Sequence, residues 1–219
     1  MKPFNAESDG DVVNSADFSF EEENLPLYFQ PSRKKELQGV MKKRKALTVV
    51  KRHTVPEGER LFKTRFVDHV KKRNDGTYQL KSRLVGMNYN DVEAGTVATK
   101  APTVKRMSHR MILCASALNR TTRRKKKIYS RDITQAFCQA KHRLSRRIYF
   151  EGVPEMGLQP DEVLMATKPL YGIPESPYLW FQTYSDFHIT ELGLRSSTVD
   201  PCFFLQRGYF GQWRVIRRS

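Results

Sequence analysis

Asp132 is the most informative acid in the chain. It closes the β-branched and aromatic run KIYSRDI, read as a strand, where TQAFCQAKHRL is read as a short helix. A carboxylate at such a strand end is well placed for a divalent cation, because Mg²⁺ takes hard oxygen donors and keeps several of its waters. An aspartate before Ile-Thr is also a common neighbour of a helix cap, and both readings stand. Two cations form the second feature. In YQLKSRLV, Tyr78, Leu80, Ser82 and Leu84 alternate with Gln79, Lys81, Arg83 and Val85. Strand facing repeats every two residues, so Lys81 and Arg83 share one face about 7 Å apart. Such a pair can hold the phosphates of one nucleotide, or is the ordinary charge of a hairpin surface.

These residues need elements to position them. LFKTRFVDHV and YQLKSRLV flank Asn74-Asp75-Gly76, a strong hairpin turn signal. Upstream, Ser32 is read as the cap of a helix carrying Leu37, Val40, Met41 and Leu47 on one stripe. Its other faces hold Arg33, Lys34, Lys35 and the run 42–45, either solvated or near a phosphate backbone. Pro102-Thr103 opens a second helix, with Val104, Met107, Met111, Cys114 and Leu118 as a core-packing stripe and His109 as a surface or packing histidine rather than a ligand. RIYFEG and EVLMAT read as strands. Ser176 as cap and Pro177 at the first helical position start a third helix, which Gly193 ends. CFFLQR is a strand, and QWRVIRR begins its return past Gly208 and Gly211. The order predicts an α+β fold, an antiparallel sheet with helices packed on one face.

Composition bounds the function. The 219 residues hold 39 Lys and Arg against 23 Asp and Glu, for a net charge of +16. Residues 1–30 carry one lysine against seven acids and read as a disordered acidic arm. The basic remainder, residues 31–219, attracts polyanions, of which nucleic acid is the commonest. Three widely spaced cysteines exclude a disulfide scaffold and offer no paired-cysteine metal knuckle. No apolar run is long enough for a membrane span and the N-terminus has no apolar signal core. A soluble intracellular protein without membrane contact is expected, in cytoplasm or nucleus, its oligomeric state open.

Seven fragments, in order, carry a resemblance: TRFVDHVKK, KSRLV, APTVKRMSHR, RDITQAF, RIYFEGVPE, KPLYGIPESPYLWF and DPCFF. Together they make residues 32–207 resemble the reverse transcriptase domain of copia-type retrotransposon polyproteins, particularly fungal ones. The resemblance implies polymerase fingers and a partial palm over residues 31–219. It implies two-metal nucleotidyl transfer, with Mg²⁺ as cofactor and with an RNA or DNA template–primer and deoxynucleoside triphosphates as partners. Asp132 matches the first metal-binding aspartate, and the Ile133 carbonyl a further ligand. Phe137 matches the aromatic gate that leaves no room for a 2′-hydroxyl. Lys81 and Arg83 match the triphosphate-holding pair of the fingers, and Tyr171-Gly172 the turn against the new base pair.

The chain departs from that family at one point. The paired aspartates of the family's second signature should follow soon after DPCFF, yet no Asp-Asp dipeptide occurs anywhere. The approach WRVIRRS also puts arginines where a buried strand wants aliphatic residues. The expectation is a fragment cut short before that signature, lacking two of three metal carboxylates and inactive alone. The alternative is a non-catalytic, basic nucleic-acid-binding protein.

Overall fold

The computed structural model describes residues 12–13, 25–88, 91–118 and 128–206. The basic run 123–127, the glycines at 208 and 211, the QWRVIRR strand and most of the acidic arm lie outside them.

Two long strands dominate because their sequences alternate and the turn between them is chemically specified. Strands β3 (Leu61–Lys72) and β4 (Tyr78–Gly86) pair antiparallel from Thr64–Gly86 to Lys72–Tyr78. At the turn Gly76 takes φ +85°, and Asp75 Oδ1 accepts the Thr77 N–H (3.0 Å) and hydroxyl (2.6 Å). The full sheet has the order β1-β4-β3-β5-β6-β2, with β1 at Val12–Val13, β2 at Leu47–Lys51, β5 at Tyr149–Glu151 and β6 at Glu162–Ala166. It is antiparallel except where Leu61–Lys63 pairs parallel with β5. A separate two-stranded sheet joins β7 (Leu194–Ser196) to β8 (Phe204–Gln206). The α+β class holds.

Helix α1 spans Leu25–Leu37 and continues as a wider π-helical stretch, Gln38–Lys43. It starts earlier than a cap at Ser32 predicts, and the arm boundary at residue 30 falls inside it. Phe29 is buried in a small cluster with Leu80, which makes the first turns part of the packed structure. Ser32 and Glu36 instead cover the edge of β4 that β1 leaves open beyond Gln79. The Ser32 hydroxyl accepts the Ser82 N–H (2.8 Å) and donates to the Leu80 carbonyl (3.2 Å), and Glu36 Oε1 accepts the Leu84 N–H (3.3 Å). Four helical residues rise about 6 Å and two strand residues about 7 Å, so an i, i+4 pair on a helix meets alternate strand amides. An edge that would otherwise template aggregation is thereby closed. Arg33 fixes the helix over β3 through Asp68 (2.6 Å), Glu155 (2.7 Å) and the Phe66 ring.

The main core gathers Val40 of the π-helical stretch with Leu47, Phe62, Leu84, Phe150 and Leu164 of the sheet and Cys138, Ile148, Leu170 and Ile173 of the connecting segments. Burial pushes the Cys138 thiol up to about 12, with the Glu36 charge adding to it. Cys114 is exposed. Reaction with an aromatic disulfide reagent near pH 8 is therefore expected to modify Cys114 at once and Cys138 only after denaturation; prompt labelling of Cys138 in the folded chain would contradict this packing.

Other expectations fail: Leu47, expected on the first helix's stripe, instead opens β2 and pairs with Ala166. Helix α2 is Arg106–Leu118, and Met107, Met111 and Cys114 of its apolar stripe are exposed. The buried position is Ser108, whose hydroxyl donates to Asp200; the same carboxylate accepts the Lys105 and Cys202 amides, at 2.8 and 3.0 Å. Polar anchoring at its start, rather than apolar burial, holds α2, and among the described residues nothing covers its methionines. Helix α3 (Ser176–Asp186) is also not capped by Ser176. That hydroxyl turns back, accepting the Leu170 N–H (3.1 Å) and donating to the Leu170 carbonyl (2.7 Å). No helix among the described residues is long and apolar enough to cross a membrane.

Candidate nucleotide site

The segment before Asp132 is not a strand. Residues 128–133 have no ladder partner among the described residues, and an unpaired strand has no hydrogen bonds to hold it. The expected helix at 134–144 is reduced to a 3₁₀ turn, Phe137–Gln139. Asp132 therefore sits exposed on a loop. Side chains shape that loop: Gln139 Nε2 donates to the Thr134 carbonyl (2.8 Å), and Gln135 Nε2 donates to Glu36 Oε2 (2.8 Å).

The loop closes one side of a cleft of about 690 Å³. Lys81 and Arg83 of β4 border it, as do Asp132, Ile133, Tyr171, and Lys35, Lys42 and Lys43 of α1 and its extension. Leu80 and Leu84 are buried beneath the helix, while Lys81 is partly open and Arg83 exposed, the facing that the alternation predicts.

Tyr171 is placed by its own turn. The Gly86 N–H donates to the Tyr171 carbonyl (2.8 Å), and Ser176 pins Leu170 at the other end. Gly172 takes φ +91°, and a Cβ there would stand 1.9 Å from the Gly86 carbonyl oxygen. Only glycine permits that approach of two backbones. The Tyr171 ring then lies 6.0 Å from the Arg83 guanidinium carbon and 4.8 Å from the Phe137 ring. Burial pushes its phenol up; Arg83 opposes this, while the Glu36 and Asp132 carboxylates add to it. Phe137 stands behind Tyr171 rather than on the cleft wall. Gly172 borders a second hollow of about 270 Å³ with Arg65, Asn88 and Pro174, so the turn is a partition between the two.

Bordering neither hollow, Arg146 pairs with Asp91 and, at 2.9 Å, with Glu93. The Arg146 hydrogen bond holds the Asp91 carboxyl below the usual carboxylate range. A lowered folded-state pKa stabilises above the unfolded value, about 3.9, and that stability is lost as pH falls through the folded value. Arg146→Gln is therefore expected to destabilise the chain at neutral pH, with the gap from the parent narrowing below about pH 4 in urea melts. An unchanged gap into strong acid would show that this pair does not matter.

Asp132 and the Ile133 carbonyl are oxygen donors suited to magnesium, but the described residues contain no cluster of three His, Cys, Asp or Glu side chains able to hold a metal. This donor set does not fit a two-ion centre. What the arrangement offers is a half-open cleft with an aromatic wall, in which Lys81, Arg83 and three lysines of the helical segment outnumber the Asp132 and Glu36 carboxylates, a surplus of positive charge suited to a phosphate-bearing ligand.

Of the residues singled out in the sequence, Lys81, Arg83, Asp132, Ile133 and Tyr171 border this cleft; Glu36, Gln135 and Gly39 border it too and were not singled out. Their one signal was the Ser32/Glu36 spacing, which looks like any polar helix face.

The mixed sheet and its helices define an α+β domain with a basic cleft beside β4. A family profile described as reverse transcriptase (RNA-dependent DNA polymerase) matches residues 44–217, and the chain belongs to that family. Members in general take a nucleic acid template and nucleotide substrates. No curated protein and no solved structure matches the chain.

Proposed function

We propose that this chain is a copia-type reverse transcriptase domain that holds an incoming deoxynucleoside triphosphate but does not polymerise by itself. In this reading Lys81 and Arg83 grip the triphosphate. Asp132 and the Ile133 carbonyl would hold a magnesium ion, and Tyr171 lies against the base pair, its ring backed by Phe137. One observation carries it: Lys81, Arg83, Asp132, Ile133 and Tyr171, from three distant segments, border a single cleft. Fixed cations recognise phosphate by charge-assisted hydrogen bonds, and a guanidinium braced on an aromatic ring keeps its fork oriented. The lysines of α1 on the same rim suit a template backbone, whose binding weakens as salt rises. With no Asp-Asp pair in these 219 residues, we derive no transfer step.

Primer extension on an RNA template with Mg²⁺ tests the catalytic half. No incorporation is expected from this chain, whereas template-dependent extension would overturn the inactivity. Salt-sensitive RNA binding with no affinity for triphosphates would favour the non-catalytic nucleic-acid-binding alternative.

A further inference from the structure

We propose that Glu36 and Gln135 form a latch that ties the phosphate-gripping strand β4 to the loop bearing Asp132. The proposal deepens the nucleotide reading and rests on it for its ligand. Glu36 divides its carboxylate between two elements: Oε1 accepts the Leu84 N–H of β4 (3.3 Å) and Oε2 accepts Gln135 Nε2 (2.8 Å). Leu84 follows Arg83, and Gln135 lies three residues after Asp132. One side chain thus sets the separation between the cations and the carboxylate across the cleft.

Three further observations show that the contact is built. Gln135 is one of two non-glycine residues with positive φ among the described residues, at +52°. Such a conformation is unfavourable for a residue with a side chain and persists where surroundings over-determine it. Gly39 leaves room for the carboxamide, since a Cβ there would lie 2.2 Å from Gln135 Nε2. Glu36 is half-buried: desolvation raises its pKa, opposed by Gln135, the Leu84 amide and Arg83. Gln135 and Glu36 are positioning residues, acting on the ligand through Asp132 and β4.

The arrangement makes a directional prediction. Gln135→Glu sets two carboxylates against each other where one donor and one acceptor now meet. Adding Glu36→Gln restores the polarity in reverse, because the new amide oxygen can accept from Leu84 while its nitrogen donates to the new glutamate. Two readouts are needed: ¹⁵N relaxation at the Ile133 and Thr134 amides of the unliganded chain, and affinity for a deoxynucleoside triphosphate with Mg²⁺. Q135E is expected to mobilise those amides and weaken binding about tenfold, equivalent to about 1.4 kcal/mol. The double variant E36Q/Q135E should return both to near parental values, a rescue that a merely structural role for either residue would not produce. If Q135E does not fold, Gln135→Ala, which removes the donor without adding charge, takes its place against the parent. Loop amides unchanged in Q135E or Q135A, or no rescue in the double variant, would overturn the latch. If the parent binds no triphosphate, the nucleotide reading fails, and the relaxation data alone decide for or against the latch.

Discussion

Gly172→Ala is expected to cost roughly 3–5 kcal/mol, near the top of the range for single substitutions. The position combines φ +91° with a would-be Cβ 1.9 Å from a backbone carbonyl oxygen, so neither rotation nor a flexible neighbour can relieve the clash. Residues 171–173 would have to lift away from Gly86, taking the Tyr171 ring from Arg83 and Phe137 and unseating Ile173 from the core. With a urea slope of about 2 kcal/mol/M, the unfolding midpoint should fall by about 2 M. Gly157→Ala is the control: its φ is +62°, with nothing within 4 Å of the added methyl, and about 1 kcal/mol is expected. Equal costs for the two would mean that the turn is not seated on β4.

The second large effect concerns binding. Removing Lys81 and Arg83 together should weaken deoxynucleoside triphosphate affinity by about two to four orders of magnitude, since hydrogen bonds to charged groups are worth about 1.5–3 kcal/mol each. Lys71 and Lys72 of the same hairpin are exposed and do not border the cleft. Their double alanine variant removes the same charge and should change affinity less than about threefold. Comparable losses in both variants would mean that net charge, not this cleft, attracts the ligand. Arg83→Lys should recover only part of the affinity, because a lysine loses both the fork and the stacking on Tyr171.

The parts of this molecule legible in the sequence are those specified locally. The hairpin announces itself through alternation and Asn74-Asp75-Gly76, and the facing of Lys81 and Arg83 follows from strand periodicity. The parts that were not legible depend on partners distant in sequence. Residues 128–133 have the composition of a strand, but a strand is a pairing, and none forms among the described residues. The stripe of Met107 and Met111 has core periodicity, yet periodicity states which residues share a face and not whether anything lies against it. Ser176 and Ser32 both look like helix caps. Each spends its hydroxyl on backbone groups outside its own helix, on Leu170 and on β4. Glu36 and Gln135 are 99 positions apart, and no local pattern joins them.

The central claim is that one cleft, bordered by β4, the Asp132 loop and Tyr171, receives a nucleoside triphosphate. Photo-crosslinking with a deoxynucleoside triphosphate bearing an azidoanilide on its γ-phosphate tests this most directly, with adducts mapped by peptide mass spectrometry. Adducts confined to residues 79–83 and 132–135, and suppressed by unlabelled triphosphate, are the predicted result. Adducts scattered over the basic surface and indifferent to competitor would contradict it.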